Sequence, residues 1–242
     1  MIEKIDTSSR SGKKEIMDDF ELQGAELKKT LRDLENINSW LGGNRVTMGG
    51  IRKLLKDHPK EKTVHIADIG CGNGAMLRKV ATWGRAAGYN LQLTGIDANE
   101  HAISFARKSS STYPEIGFES TNIFSPEFKN AKFDIILCTL TLHHFATEEI
   151  SGLMEDFYSR ARMGVVINDL HRSKAAYYLF QAFCSVFIRN EIARKDGLVS
   201  ILRSFKKEDL QGLASTIPAH QQEITWKWAF RYRWIIQKNH SL

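Results

Sequence analysis

This chain of 242 residues is poor in cysteine and has no long apolar run, and each absence excludes a class of protein. Its three cysteines, Cys71, Cys138 and Cys184, are widely spaced, which predicts neither a disulfide framework nor a metal site and favours a reducing cytoplasm. The first ten residues lack the apolar core of a secretory signal. The most apolar stretch, residues 175–188, is too short to span a bilayer. We expect a cytoplasmic globular protein.

Basic residues are in excess, but they are not arranged as a nucleic-acid surface. The formal net charge of +6 permits an acidic partner. A nucleic-acid-binding protein usually adds a dense stripe of Lys and Arg with interleaved aromatic side chains. The closest match here, Arg231-Tyr-Arg233-Trp, alternates with period two and is typical of a strand with two different faces. A nucleic-acid partner is therefore not favoured.

Strand and helix patterns alternate after residue 60, as in an α/β domain. Strands are predicted at 64–69, 91–96, 116–121, 133–139 and 163–168, helices at 74–87, 99–111, 147–161, 174–190 and 206–215, and strand again within 221–237. Upstream, residues 1 to about 15 are polar and are expected to be disordered. One helix is predicted from Met17 to the pair Gly42-Gly43, and a second over 47–58.

One glycine-rich turn is more informative than any other part of the chain. The buried strand that ends at Ile69 is followed by glycine at positions 70, 72 and 74, and a helix begins directly afterwards. Glycine is needed where φ is positive or where a ligand presses against the backbone. A turn of this kind, between a parallel strand and a helix, is where α/β proteins bind nucleotide-like ligands.

Two classes of cofactor compete for this turn. Residues 70–75 satisfy the loose dinucleotide fingerprint, so a nicotinamide or flavin nucleotide is one candidate. S-adenosylmethionine is the other, because Asp68 suits an ammonium group and Gly74 leaves room for an amino-acid tail. Asp97 ends the next strand, and its carboxylate can accept hydrogen bonds from both ribose hydroxyls in either class.

Four motifs in order resemble those of class I S-adenosylmethionine-dependent methyltransferases. They are Asp68-Ile-Gly-Cys-Gly-Asn-Gly74, Gly95-Ile-Asp97, Glu119-Ser-Thr-Asn122-Ile123, and Phe133 to Phe145 with its Leu-His-His ending. The resemblance covers about residues 60–170 and implies S-adenosylmethionine as the cofactor, with no metal.

The resemblance also implies which residues hold the cofactor. Gly70, Gly72 and Gly74 would hold its methionyl part near Asp68, Asp97 its ribose, and Asn122 with Ile123 its adenine, with Ala98 and Thr139 beside them. Many members of the family carry aspartate where this chain has Asn122. The asparagine carbonyl oxygen can still accept a hydrogen bond from the adenine amino group.

The fold implied by the resemblance is a Rossmann-like, doubly wound α/β sheet of seven strands, whose last two strands form an antiparallel hairpin. Residues 61–242 would form the S-adenosylmethionine-binding domain and residues 1–60 a helical lid. With a cover insertion at 190–205, the lid would lie over the carboxyl ends of the strands, where open α/β sheets bind ligands. This cover, and not the sheet, would select the acceptor.

Candidates for the acceptor site follow the fourth and fifth strands. Of the pair His143-His144 at most one side chain is expected to face the acceptor, and His144 is our candidate. The run Asn168 to Arg172 suits a site for a polar acceptor, with His171 as base or positioning group and Asp169 beside it. A structural interpretation of the same run is that its aspartate caps the next helix and its last arginine pairs with an acid.

The helix predicted at 174–190 is apolar almost all round. Burial between the sheet and the cover is the default expectation for such a helix. Its flanking Lys174 and Arg189 also permit contact with a membrane surface, which is not favoured. The sequence does not predict the oligomeric state.

These patterns predict an S-adenosylmethionine-dependent methyltransferase for a small aromatic or hydrophobic acceptor, with oxygen as the expected methylated atom. The polar run after the fifth strand resembles bacterial small-molecule methyltransferases of phenolic, polyketide or quinone-like products. Three further classes stay open: an RNA or DNA methyltransferase, an NAD(P)-dependent oxidoreductase, and a non-catalytic S-adenosylmethionine-binding protein.

Overall fold

A seven-stranded sheet forms the centre of the molecule, with strand order β3-β2-β1-β4-β5-β7-β6. The computed structural model describes residues 5–125, 128, 130–219 and 221–238. Strands β1 to β5 are parallel, and β7 runs antiparallel to both β5 and β6. The strands are β1 Val64–Ile69, β2 Leu91–Asp97, β3 Ile116–Ser120, β4 Phe133–Thr139, β5 Ala161–Leu170, β6 Gln221–Lys227 and β7 Arg231–Gln237.

Helices cover both faces of this sheet, so the central strands are buried on both sides, as parallel sheets require. In the described residues the α-helices are α1 Gly24–Trp40, α2 Gly43–Leu54, α3 Ala75–Ala87, α4 Glu100–Ser109, α5 Thr147–Arg160, α6 Lys174–Phe187, α7 Glu191–Arg203 and α8 Lys207–Thr216. Apolar side chains of α2, α3 and α4 pack on one face, and those of α5 and α8 pack on the other.

The predicted fold class is confirmed, including the antiparallel hairpin at the sheet edge. The bounds of β1 and β4 agree with the sequence patterns to the residue, whereas β5 is longer at both ends. The first long helix begins at Gly24 and not at Met17, which lies in a short 3₁₀ turn. The second helix begins at Gly43, because Gly42 has a left-handed φ of 74° and breaks the chain direction.

The amino-terminal residues 5–19, which we call the strap, are ordered along the top of the sheet. Disorder up to residue 15 was the expectation, and it is wrong for residues 5–15; residues 1–4 lie outside the described part of the chain. The Ser11 N–H donates to the Leu202 carbonyl at 2.9 Å. The Asp196 carboxylate accepts from the N–H groups of Ile16 and Met17 at 2.8 and 2.9 Å. Backbone and carboxylate hydrogen bonds, together with the burial of Ile5, therefore hold the strap.

Helix α6 is far more exposed than its composition predicts. Only Ala176 and Cys184 are buried, while Val186 and Phe187 are 74% and 61% exposed. The expectation of a helix buried between sheet and cover is therefore wrong, because α7 covers only one side of it. None of the described helices has the length and apolar character that crossing a membrane would require.

Candidate functional site

A cavity of about 550 Å³ lies at the carboxyl ends of β1, β2 and β4, beneath α1, α6, α7 and the strap. This volume lies within the range of small-molecule sites. One end is lined by the turn after β1 and by polar side chains after β2, β3 and β4: Asp68, Gly70, Gly72, Asp97, Ala98, Asn122, Ile123 and Thr139. The other end is lined by Asp18, His143, His144, Leu179, Phe180, Phe183, Trp228 and Arg231.

The glycine turn opens the first end of the cavity. Gly70, Gly72 and Gly74 all have positive φ, at 69°, 53° and 74°. A Cβ on Gly70 would lie 2.4 Å from the Thr141 side chain, so only glycine fits there. A Cβ on Gly74 would meet the Phe118 ring at 2.7 Å, and Gly74 does not line the cavity. Gly74 therefore serves the turn and its packing against Phe118, and its expected role beside the cofactor stays a prediction.

Two carboxylates form an acidic floor below this turn. Asp97 accepts hydrogen bonds from the N–H groups of Gly72 and Asn99, both at 2.9 Å. Asp68 is 2% exposed, and its Oδ1 has no hydrogen-bond partner among the described residues. Burial, together with the nearby charge of Asp97, raises the pKa of Asp68 to about 8. Burial also raises the pKa of Asp97, although its two N–H donors oppose that effect.

The remaining expected cofactor residues also line this end. Ile123 is buried, and Asn122 is exposed with its Oδ1 accepting from the Phe124 N–H at 3.0 Å. The Thr139 hydroxyl lies 3.0 Å from the hydroxyl of Thr47 on α2. Ala98 follows Asp97 directly. The structure thus brings together eight of the nine residues expected to hold the cofactor, with Gly74 as the exception.

His143 is a buried cation at the second end of the cavity. Its Nδ1 lies 2.7 Å from Asp169 Oδ1, and its Nε2 lies 3.4 Å from Glu15 Oε1 on the strap. Burial by itself would lower the pKa of His143, but the Asp169 and Glu15 carboxylates outweigh it and raise the pKa to about 10. The ring is therefore an imidazolium at neutral pH.

His144 is the more accessible of the two histidines and lines the cavity. Its Nδ1 lies 2.6 Å from Asp18 Oδ1, and its Nε2 is 3.9 Å from Glu15 Oε2. Arg203 holds this arrangement by donating to the Asp18 carboxylate and to the carbonyls of both histidines. Burial raises the pKa of Asp18, yet the hydrogen bonds from His144 and Arg203 prevail and lower it.

Glu15, His143 and His144 offer potential metal-ligand atoms within 4.8 Å of one another. Each of the three side chains already pairs with other charged groups: His143 with Asp169, and His144 with Asp18. Arg203 also lies 3.8 Å from Glu15, where it would repel a cation. We therefore interpret the three side chains as members of an ion-pair network.

Two of the expected acceptor-side residues lie outside the cavity lining. Asp169 is fully buried and holds His143, and it does not cap the next helix, because Ser173 does so. The ring of His171 packs against Tyr232, and its Nδ1 accepts from Trp226 Nε1–H at 3.3 Å. Burial and the nearby charge of Arg172 lower the pKa of His171. Neither side chain faces the acceptor end, and His171 is not retained as a base.

Three residues of this end were missed from the sequence: Glu15, Asp18 and Arg231. Both acids belong to a segment whose polar composition predicts disorder, and no local pattern shows that they meet histidines more than a hundred residues away. The alternation around Arg231 predicted a strand with two different faces but did not show which face is buried. In the structure β7 lies between β5 and β6 and beneath α2, so Arg231 is only 2% exposed.

The backbone is strained at two points on the cavity wall. Leu140, directly after β4, and Phe230, directly before β7, have left-handed φ values of 54° and 53°. Side chains other than glycine adopt this region at a cost of about 1–3 kcal/mol each, and such residues concentrate at ligand sites. The strain coincides with the two ends of the cavity.

Comparison with known proteins supports a transferase. Residues 66–164 match the family described as "Methyltransferase domain". A non-reducing polyketide synthase, atr1, of Stereocaulon alpinum is 27% identical over 125 residues, which is 50% of this chain. This chain spans only 5% of the length of that synthase.

Solved structures share the fold. The plantazolicin methyltransferase BpumL, in complex with S-adenosylhomocysteine (SAH), is 19% identical with a TM-score of 0.65, over 88% of this chain and 90% of its own. The CMeT domain of the citrinin polyketide synthase is 16% identical with a TM-score of 0.60, over 79% of this chain and 52% of its own. Human N-acetylserotonin methyltransferase, in complex with S-adenosylmethionine (SAM), is 14% identical with a TM-score of 0.62, over 88% of this chain and 56% of its own.

The family match, the shared fold and the acid-floored glycine turn lead to one conclusion. Residues 66–164 match a methyltransferase domain, and the chain shares the fold of solved S-adenosylmethionine-dependent methyltransferases, the class that its sequence resembles.

Proposed function

We propose that the chain is a small-molecule methyltransferase that transfers a methyl group from S-adenosylmethionine to an aromatic or hydrophobic acceptor, at oxygen. The observation that most strongly supports this proposal is a single cavity with two chemically different ends. One end has an acidic floor and glycine walls, and the other has histidines and apolar side chains. Direct transfer needs both reactants aligned in one chamber that excludes water.

The first end fits S-adenosylmethionine. Gly70 and Gly72 leave the wall free of side chains, and the unpartnered Oδ1 of Asp68 is positioned for the ammonium group. Asp97 would hold the ribose, and Asn122 and Ile123 the adenine. The cofactor would supply a methyl group on a positively charged sulfur. SAM or SAH in complex with the structural neighbours supports this assignment.

The acidic floor favours this cofactor over a dinucleotide. A third acid, Glu35 of α1, lines the same end as Asp68 and Asp97. Its carboxylate accepts a hydrogen bond from Asn73 Nδ2 at 2.9 Å. Acidic side chains at this end favour an ammonium, which ionises Asp68 on binding, and a sulfonium, whereas they disfavour a pyrophosphate. Asn73 Oδ1 also accepts from the Ala75 N–H, at the start of α3 where a pyrophosphate would sit. An NAD(P)-dependent oxidoreductase is therefore disfavoured.

The second end suits an apolar acceptor. Leu179, Phe180 and Phe183 of α6 line it, together with Phe20 after the strap and Trp228 before β7. Aromatic and aliphatic walls with few polar groups are typical of sites for small hydrophobic ligands. Phenolic and polyketide-like molecules have this character, which agrees with the resemblance noted for the run after the fifth strand.

We assign the proton transfer to His144. If its Nδ1 donates to Asp18, its Nε2 carries the free lone pair, as in other carboxylate–histidine pairs. His143 cannot take this role at neutral pH, because Asp169 and Glu15 keep it charged. A phenol with a pKa of about 10 would need such a base to raise its phenolate fraction. Asp169 and His143 then serve as positioning residues.

Cysteine chemistry and surface charge bear on the compartment and on the class of acceptor. All three cysteines are buried free thiols, so a reducing cytoplasm remains our expectation. The sequence has no dense stripe of basic residues with interleaved aromatics, so a small molecule is preferred over RNA or DNA as the acceptor. A protein that binds the cofactor without turnover would have the same first end, and only an activity assay separates it from an enzyme.

The test is a screen of the full chain with S-adenosylmethionine against phenols, quinols and polyketide-like acids, read by mass spectrometry. A gain of about 14 Da on one class would identify the acceptor, because one methyl group replaces one proton. His144→Ala should lower kcat about 10²–10⁴-fold. His171→Ala is the matched control, a histidine after a neighbouring strand but outside the cavity, and should retain turnover. Full activity of His144→Ala would remove the base assignment.

A further inference from the structure

Arg231 is a buried cation that faces the cavity without a partner. It is the first residue of β7, it is 2% exposed, and it lines the cavity. Its Nε and Nη1 make no hydrogen bond with any of the described residues. A guanidinium has five N–H donors in a fixed fork, which makes unfilled positions costly inside a protein.

No acid within the described residues neutralises Arg231 by an ion pair. The carboxylate that contributes to its electrostatics, Asp169, is bonded to His143. Burial lowers the pKa of Arg231 to about 10, and Asp169 opposes that shift. The side chain therefore stays charged at neutral pH, and its charge is directed at the cavity.

The neighbouring elements leave space for this side chain. A Cβ on Gly43 would lie 2.8 Å from Arg231 Cζ and 1.9 Å from Asn38 Oδ1, so both side chains would have to move to admit one. Asn38 lines the cavity beside Arg231, with its Nδ2 donating to Asn44 Oδ1 at 2.8 Å. The start of α2 and the end of α1 thus form a polar pocket around the guanidinium within an otherwise apolar end.

We propose that Arg231 is an anion-binding residue for the acceptor, and that the acceptor is a carboxylic acid with an apolar or aromatic body. A carboxylate matches the fork of a guanidinium, and the Arg231 side chain reaches the cavity lining. The apolar walls of α6 would contact the rest of the molecule. This inference rests on the proposed function, because it describes the acceptor of that same cavity.

A carboxylate has two sources here, since S-adenosylmethionine carries one on its methionyl part. The order β1-β4-β5-β7 puts Arg231 three strands from Asp68. Three strand spacings are roughly 14 Å. The ammonium and carboxylate of a methionyl group share one carbon atom, so binding of the ammonium at Asp68 leaves the cofactor carboxylate far from β7. The acceptor is therefore the favoured source.

The experiment compares two probes that differ by one carboxyl group, 6-pentylsalicylate and 3-pentylphenol, by calorimetry on the SAH-bound protein. Wild type should bind the acid at least tenfold more tightly than the phenol. Arg231→Met should weaken binding of the acid by about 10–100-fold and leave the phenol unchanged, as expected for a lost charged hydrogen bond. Arg231→Lys should restore part of the difference. Arg233→Met is the matched control, because Arg233 lies on the same strand, pairs with Glu223 and does not line the cavity.

Three outcomes would overturn the inference. One is equal binding of both probes, or no binding of the acid, by wild-type protein that binds SAH. Another is weaker SAH binding by Arg231→Met, which would assign the anion to the cofactor. The third is a lower melting temperature of ligand-free Arg231→Met, because loss of an unpaired buried charge should leave stability equal or higher. Failure of wild type to bind SAH would instead contradict the proposed function.

Discussion

Asp68 is a buried acid whose charge nothing neutralises among the described residues, and a bound cation would fill that role. It has no partner for Oδ1 among the described residues, and Asp97 repels its charge. In the ligand-free protein a pKa of about 8 keeps most of the carboxyl protonated at neutral pH. An ammonium group would stabilise the ionised form, so binding should release a proton.

The Asp68→Asn variant separates the effect of this carboxyl group on protein stability from its effect on SAH binding. The pKa of Asp68 is raised from 3.8 to about 8 on folding, so its contribution to stability is complete below about pH 4 and is lost as pH rises to about 8. Asp68→Asn should therefore stabilise the ligand-free protein at pH 8, with little effect at pH 4. The same variant should weaken SAH binding and abolish its increase between pH 6 and 8.

Melting curves and calorimetry over that pH range test both halves of this prediction. Glu26→Gln, an exposed acid in the first turn of α1, is the control and should change neither quantity. If Asp68→Asn destabilised the ligand-free protein at pH 8, or if its SAH affinity matched wild type, Asp68 would not be the ammonium site.

Eight of the nine residues that the family resemblance implies for the cofactor line one cavity, whereas the other end depends on tertiary contacts. The turn residues and the acids Asp68 and Asp97 belong to their own strands or follow them directly, so chain position fixes their place. Side chains along β5 alternate in direction, and Leu170 faces the cavity while Asp169 and His171 do not. The sequence could not show this register, because the alternation allowed either side chain set to face the acceptor.

At the scale of elements, the strap helps to set the charge of His143 and supplies the acid that pairs with His144. It places Glu15 against His143 and Asp18 against His144, while α7 holds both acids through Ser200 and Arg203. Composition alone predicted disorder for these residues, because they contain little to bury. The strap is ordered by ionic partners that come from distant elements.

Removal of the Glu15 charge from the strap should therefore change the pKa of His143. Glu15→Gln should lower the pKa of His143 from about 10, because Asp169 would remain as its only carboxylate neighbour among the described residues. The pKa of this histidine is raised above its ordinary 6.5, so its contribution to stability is complete below that pH and is lost as pH rises towards 10. In the variant this loss should be smaller and should be complete at a lower pH, because the pKa of the folded state sets its upper limit.

The measurement is an NMR titration of the His143 ring in wild type and Glu15→Gln, together with melting curves from pH 6 to 10. Glu21→Gln is the control, since Glu21 is exposed and lies just beyond the strap. An unchanged His143 pKa in Glu15→Gln would show that the strap does not set the charge of this ring.

For the whole molecule, the alternation of strands and helices, together with the family resemblance, was sufficient to predict the sheet and its terminal hairpin. The apolar face of α6 was not predictable in the same way, because composition shows that a helix is apolar but not which neighbour covers it. With Leu179 and Val186 exposed at 57% and 74%, this helix forms an apolar rim beside the cavity.

Binding at one end of the cavity should stabilise the entire fold, because the cofactor would join β1, β2 and β4 to α1. At a concentration about 100 times its Kd, SAH should add about 2.7 kcal/mol to the free energy of unfolding, or about 5–10 °C in Tm for a domain of this size. NADH at the same concentration should give no shift, because the acidic floor repels its pyrophosphate. Asp97→Ala should reduce the SAH shift strongly, as it removes about 1.5–3 kcal/mol of charged hydrogen bonding. A shift with NADH and none with SAH would instead favour the oxidoreductase, and the fold would then have to bind a dinucleotide against three carboxylates.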